Sequence, residues 1–173
     1  MSVSPAAVQR HDTVPADVRP PRHEGGPKEC VGVAALPTSI PMVRSFTRAM
    51  LTAWGLKAEY GWACQQVLSE FVTNAFDATG GHTVPEDLAD LDEADVATIF
   101  VQLRVSFGRL IAEVRDSSAE QPQLADPELD DESGRGLHLA TMLASDWGWY
   151  PTTGRRAGKV VWAAWDLDQR DAS

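Results

Sequence analysis

Two cysteines in 173 residues are too few for a disulfide framework. Cys64 falls on an apolar helical stripe and reads as a small buried hydrophobe, while Cys30 stands alone. Basic residues are also scarce: 15 Lys and Arg face 25 Asp and Glu, for a net charge of −10. A nucleic-acid surface needs a basic stripe, so direct nucleic-acid binding is not expected. No apolar run approaches the roughly 18 residues of a membrane span, and the first thirty residues lack the apolar core of a secretory signal. The expectation is no membrane association and a reducing cytoplasm. The four histidines (11, 23, 82 and 138) show no metal-ligand spacing. No Ser-His-Asp or Cys-His arrangement stands at a readable spacing either.

What is present points to one folded domain. With 43% hydrophobic residues and six tryptophans, the chain has material for a single core. Residues 1–29 have the composition of a tail; 30–168 form the domain, and 169–173 a short C-terminal tail. The acids are unevenly placed. Six lie between Glu86 and Asp95 and five between Asp126 and Glu132, with no Lys or Arg among them. Both stretches read as solvated loops.

The order of elements follows from punctuation and period. Cys30–Leu36 is a short strand ended by Pro37. Thr38 or Ser39 caps a helix with Pro41 in its first turn, and Gly55 stops it. A second helix, Glu59–Ala78, ends at Gly80-Gly81. An acidic connection over 82–97 leads to a strand, Ile99–Phe107, that alternates with period two. Gly108-Arg109 fits a two-residue II′ turn into a returning strand, Leu110–Arg115. A third helix begins at Ser133-Gly134-Arg135-Gly136, and Trp147–Tyr150 and Lys159–Leu167 are the last two strands. This order predicts an α+β fold, a two-layer sandwich with helices on one face of a mixed, mostly antiparallel sheet. The six tryptophans lie on these helices and strands and read as core or sheet-face residues, with some of the strand tryptophans alternatively marking a partner surface.

The second helix carries the most informative pattern. Tyr60, Cys64, Val67, Phe71, Ala75 and Ala78 form an apolar stripe at steps of three and four. Beside it, Glu70, Asn74 and Asp77 stand in one row at i, i+4 and i+7. A carboxylate and an amide there offer oxygen ligands to a hard cation with attached phosphates. Further along, Asp116 sits at a strand end, where a carboxylate can accept a hydrogen bond from the exocyclic amine of adenine. Gly134 and Gly136 open a helix, where backbone N–H groups can approach phosphates. Each feature also has an ordinary reading: a solvated helix flank, a turn closed by Asp116-Ser117-Ser118, and a flexible helix entry.

Together they resemble a family, the small bacterial anti-sigma-factor-like serine kinases of the GHKL ATPase superfamily, whose Bergerat fold is shared with histidine kinase catalytic domains. The resemblance runs from about Ala35 to Leu167 and is nearest to stand-alone ATP-binding regulators of actinobacterial type. Ser69-Glu-Phe-Val-Thr-Asn-Ala75 resembles the N box, and Val114-Arg-Asp-Ser-Ser118 the G1 box. Ser133-Gly-Arg-Gly-Leu137, with Trp147-Gly148 and Gly158-Lys-Val-Val-Trp162, resembles the G2 box and closing strands. The resemblance implies ATP and Mg²⁺ as ligands. It makes Glu70 the general base, Asn74 the Mg²⁺ ligand, Asp116 the adenine reader, Gly134 and Gly136 part of the ATP lid, and Asp77, on the helix row with Asn74, a further nucleotide-binding residue. Ser118 replaces the glycine usual in the G1 box, and the position near adenine that often carries threonine falls on Val160.

Two functions follow from the resemblance. One is an ATP-dependent serine/threonine kinase that phosphorylates an anti-anti-sigma (STAS-type) protein and sequesters a sigma factor. The other is a non-catalytic module, with or without nucleotide, that only sequesters a partner. Retention of Glu70 and Asn74 favours the first; the altered G1 box and acidic lid favour the second. Either leaves room for a homodimer.

Overall fold

The computed structural model describes residues 17–79, 97–122 and 135–168. Its elements are β1 (Lys28–Ala34), α1 (Ser39–Ala53), α2 (Lys57–Ala78), β2 (Thr98–Ser106), β3 (Arg109–Asp116), α3 (Arg135–Leu143), β4 (Asp146–Thr152) and β5 (Gly158–Asp166). The fold is α+β. Five strands form one sheet in the order β1-β2-β3-β5-β4. The sheet was expected to be mixed; every pairing among the described residues is antiparallel.

Alternation along the strands divides the residues between two faces. Ile99, Val101 and Leu103 of β2, Leu110, Ala112 and Val114 of β3, and Val161, Ala163 and Trp165 of β5 form one core with the helices. Val43 and Leu51 of α1, and Cys64, Val67, Leu68 and Phe71 of α2, are buried in it. Burial pushes the Cys64 thiol far above its usual range, so it stays a neutral core group. The second face carries a smaller cluster of Ile111, Trp162 and Ala164 with Tyr150 against it.

Residues 17–27, within the stretch expected as a tail, lie against this second face. Val18 N–H donates to the Trp149 carbonyl at 3.0 Å, and Val105 N–H donates to the Pro27 carbonyl at 2.9 Å. The Ser106 hydroxyl accepts from Glu24 N–H and donates to the Arg22 carbonyl, both at 3.0 Å. Between these contacts lies a buried ion pair, Arg104 Nε to Glu113 Oε2 at 2.7 Å, shared with Gln102.

Local chemistry moves one turn and changes how one helix is capped. The β2–β3 turn is Phe107-Gly108, not Gly108-Arg109, because Ser106 pairs with Arg109. Both turn residues have positive φ, 52° and 69°, which makes it a type I′ turn. Phe107 takes a conformation that usually selects Asn or Gly, with its ring exposed. At α1, Thr38 is the N-cap but makes no side-chain capping bond; Ser39 instead donates its hydroxyl to the Ala34 carbonyl at 2.6 Å, tying the helix entry to β1. Gly55 ends α1 with φ 75°, as the sequence predicts.

The tryptophans divide by position. Trp147, Trp149, Trp162 and Trp165 are buried and Trp54 is half-buried. Trp62 departs from the expected core role: it stands on the outer side of α2, 65% exposed. Among the described residues, no helix is long and apolar enough to cross a membrane.

Candidate functional site

Helix α2 positions the first group of residues. Its stripe is buried at Tyr60, Cys64, Val67, Phe71 and Ala75, with Ala78 half-buried at the end. Because Phe71, Val72 and Ala75 lock the helix into the core, Glu70, Asn74 and Asp77 are held at its margin, each half-buried. Arg44 of α1 donates from Nε to the Ser69 hydroxyl at 2.8 Å, and Ser69 donates to the Gln65 carbonyl at 2.6 Å. These bonds fix the helix one residue before Glu70. No hydrogen bond or ion pair among the described residues engages the side chains of Glu70, Asn74 or Asp77.

Strand β3 positions the second. Asp116 is its last residue and is 4% exposed. Its Oδ1 accepts from Ser118 N–H at 2.8 Å and from the Lys159 ammonium at 3.0 Å. The turn reading of Asp116 is therefore realised through Ser118, and the same oxygen also holds Lys159. Burial pushes the Asp116 carboxyl above its usual range, and the charge and hydrogen bonds of Lys159, with the Ser118 amide, pull it back.

Lys159 is the partner of Asp116 that the sequence analysis does not single out. The register sets Asp116 opposite Lys159 and Arg115 opposite Val160, so Val160, expected near the adenine, takes the parity of the other face. The residue beside the carboxylate is the lysine. Its signal was present: Lys159 shares parity with Val161, Ala163 and Trp165, and a lysine on an apolar row calls for a buried partner. Gly158 permits this approach. A Cβ there would lie 2.0 Å from the Asp116 carbonyl oxygen and 2.8 Å from Ser117 Cα, so any side chain would push the two strand ends apart.

The third group is only partly in view. Gly136 lies in the first turn of α3, which starts at Arg135; Gly134 and most of the acidic lid fall outside the described residues. Of the acidic connection over 82–97, only Ala97 is described.

The donor set suits a nucleotide with a divalent cation. A half-buried carboxylate and amide on α2 offer hard oxygen ligands. α2 packs on β3 and α3, whose ends carry a buried hydrogen-bond acceptor and a helix start. Among the described residues, no cluster of three or more His, Cys, Asp or Glu forms a metal site. A cation here would therefore be held by few protein ligands and by phosphate oxygens, as Mg²⁺ commonly is.

Residues 33–165, from β1 to β5, match the family model described as the histidine kinase-like ATPase domain. No curated protein matches the chain closely enough to be set beside it. The matched span covers well over half of the sequence and includes Glu70, Asn74, Asp77, Asp116, Gly134, Gly136 and Lys159. The chain belongs to the histidine kinase-like ATPase family of the GHKL superfamily.

Proposed function

We propose that the protein is an ATP-binding regulator that phosphorylates a serine or threonine of an anti-anti-sigma, STAS-type partner and sequesters a sigma factor. The observation that carries this reading is the pairing on α2 of Glu70 with Asn74, one turn apart and both half-buried at the margin of the core. In this reading Asn74 holds Mg²⁺ through its amide oxygen, and Asp116 accepts a hydrogen bond from the adenine amine. Glu70 takes the proton of the attacking hydroxyl as its oxygen bonds to the γ-phosphorus and ADP leaves. When bound, Mg²⁺ neutralises charge on the phosphates. The sigma factor and the anti-anti-sigma protein come from the resemblance to anti-sigma kinases, whereas cytoplasmic residence rests on the sparse cysteine usage.

The Lys159–Asp116 bond favours a second reading, a binding module without transfer. The carboxylate that would read adenine already has a charged partner, and Ser118 stands where the family pattern has glycine. Calorimetry with ATP and Mg²⁺, followed by labelled-phosphate transfer to a purified anti-anti-sigma protein, separates the two. Binding with transfer supports the kinase. Binding of nucleotide and a sigma factor without transfer supports the module.

A further inference from the structure

Four residues of β5 face the helices: Lys159, Val161, Ala163 and Trp165. Three are apolar, and the fourth is an ammonium only 5% exposed. Burying an ammonium is costly even when it is paired, and methionine would complete the row at lower cost. Lys159 is instead held at 3.0 Å from Asp116 Oδ1, and the close approach at Gly158 keeps the two strand ends together. Ser118 N–H binds the same oxygen. Neither bond falls on Oδ2.

A carboxylate alone is a one-sided reader. It accepts from the 6-amino group of adenine and repels the 6-carbonyl of guanine or hypoxanthine. An ammonium carries three donors, and Lys159 spends one on Asp116. We infer that Asp116 and Lys159 form a joint reader, acceptor beside donor, that admits 6-oxopurine nucleotides as well as adenine nucleotides. With a 6-oxopurine, Lys159 donates to O6 while Asp116 Oδ2 accepts from N1–H. With adenine, Oδ2 accepts from the amino group. The inference rests on the nucleotide reading of this site and adds Lys159 as the residue that sets base choice.

Calorimetry on the full chain with Mg²⁺ and ATP, GTP, ITP or purine riboside triphosphate tests it. GTP and ITP are expected to bind within about tenfold of ATP. ITP should exceed purine riboside triphosphate, which has no group at position 6, by at least about tenfold, the worth of one charged hydrogen bond. Lys159→Thr should lower GTP and ITP affinity by about ten- to a hundredfold more than it lowers ATP affinity, so the readout is the change in the ITP-to-ATP ratio. The comparison of ITP with purine riboside triphosphate needs only the native protein, so it stands even if the variant does not fold. Tight ATP binding with GTP and ITP more than about a hundredfold weaker would overturn the role of Lys159 and leave the nucleotide site intact. Binding of none of the four would overturn both.

Discussion

Trp162 donates its indole N–H to the Val18 carbonyl at 2.7 Å, across 144 residues of chain. Beside it the Arg19 guanidinium lies 4.7 Å from the centroid of the Tyr150 ring. Together with the main-chain bond from Val18 to Trp149, these contacts hold residues 17–19 on β4 and β5. Trp162→Phe keeps most of the buried ring and removes the donor. It should cost about 1 kcal/mol, the net worth of one hydrogen bond, and speed hydrogen exchange at the Val18 amide. Unchanged exchange there would show that the indole bond does not hold the segment.

Phe71 is 2% exposed, in the middle of the α2 stripe. Phe71→Ala should destabilise the protein by about 3–5 kcal/mol, a large share of the stability of a domain this size. Denaturant unfolding measures it. A loss below about 1 kcal/mol would mean that α2 is not locked into the core as described.

Asp116→Asn is a sharper test of base binding than Asp116→Ala, which would leave the Lys159 ammonium buried without its partner and cost about 3–5 kcal/mol of stability. In the asparagine variant, Lys159 and the Ser118 amide hold the side-chain oxygen, since both donate to the Oδ1 position. The NH₂ group then faces the adenine amine, donor against donor. ATP affinity should fall by about ten- to a hundredfold, while Asn74→Ala should leave metal-free ADP binding nearly unchanged. Equal losses in the two titrations would count against the separate roles of base reader and metal ligand.

The raised Asp116 carboxyl gives a pH test with a definite sign. Its folded value lies above its unfolded value, with burial the leading cause. The folded state therefore takes up this proton more readily. The resulting contribution to stability is present below the unfolded value and is lost as pH rises through the folded one. Base binding moves the other way, because a proton on Oδ2, the oxygen left by Ser118 and Lys159, turns the acceptor that faces the adenine amine into a donor. ATP affinity should weaken on acidification while pH is still above the ordinary aspartate value near 3.9, and Asp116→Asn should flatten that dependence. An ATP affinity constant down to pH 4 in the native protein would contradict it.

Glu70→Gln preserves shape and removes the base. If the kinase reading holds, labelled-phosphate transfer to the partner serine or threonine should fall about 10²- to 10⁴-fold, with ATP affinity little changed. Full transfer by the variant would remove Glu70 from the chemistry.

The helical stripe was legible because burial of one face imposes a period that spacing records, and Tyr60, Cys64, Val67, Phe71 and Ala75 are all buried. The hairpin is legible in outline, but glycine alone does not locate its turn: Gly108 is the second turn residue, because Phe107 adopts positive φ despite its side chain. Hydrophobicity alone does not say which face of α2 a residue takes, and Trp62 takes the exposed one. The Lys159–Asp116 pair depends on the register of strands 43 residues apart, which local pattern does not encode. The contacts of residues 17–27 were hidden for another reason. Many are main-chain bonds, such as those of Val18 and Pro27, and these leave little mark on side-chain composition.

The edge strand β1 is in register with β2 over seven residues, from Lys28 opposite Arg104 to Ala34 opposite Thr98. Both long helices lie in the chain between these partners. The β2–β3 and β4–β5 pairs, by contrast, are hairpins closed by short connections. Loop-closure entropy must be met before distant contacts return anything, so local pairs have the kinetic advantage. On refolding from denaturant, the two hairpins are therefore expected to gain protection first and the β1 amides last. Until β1 docks, β2 presents an unpaired strand edge, and the refolding chain is most open to self-association in that interval.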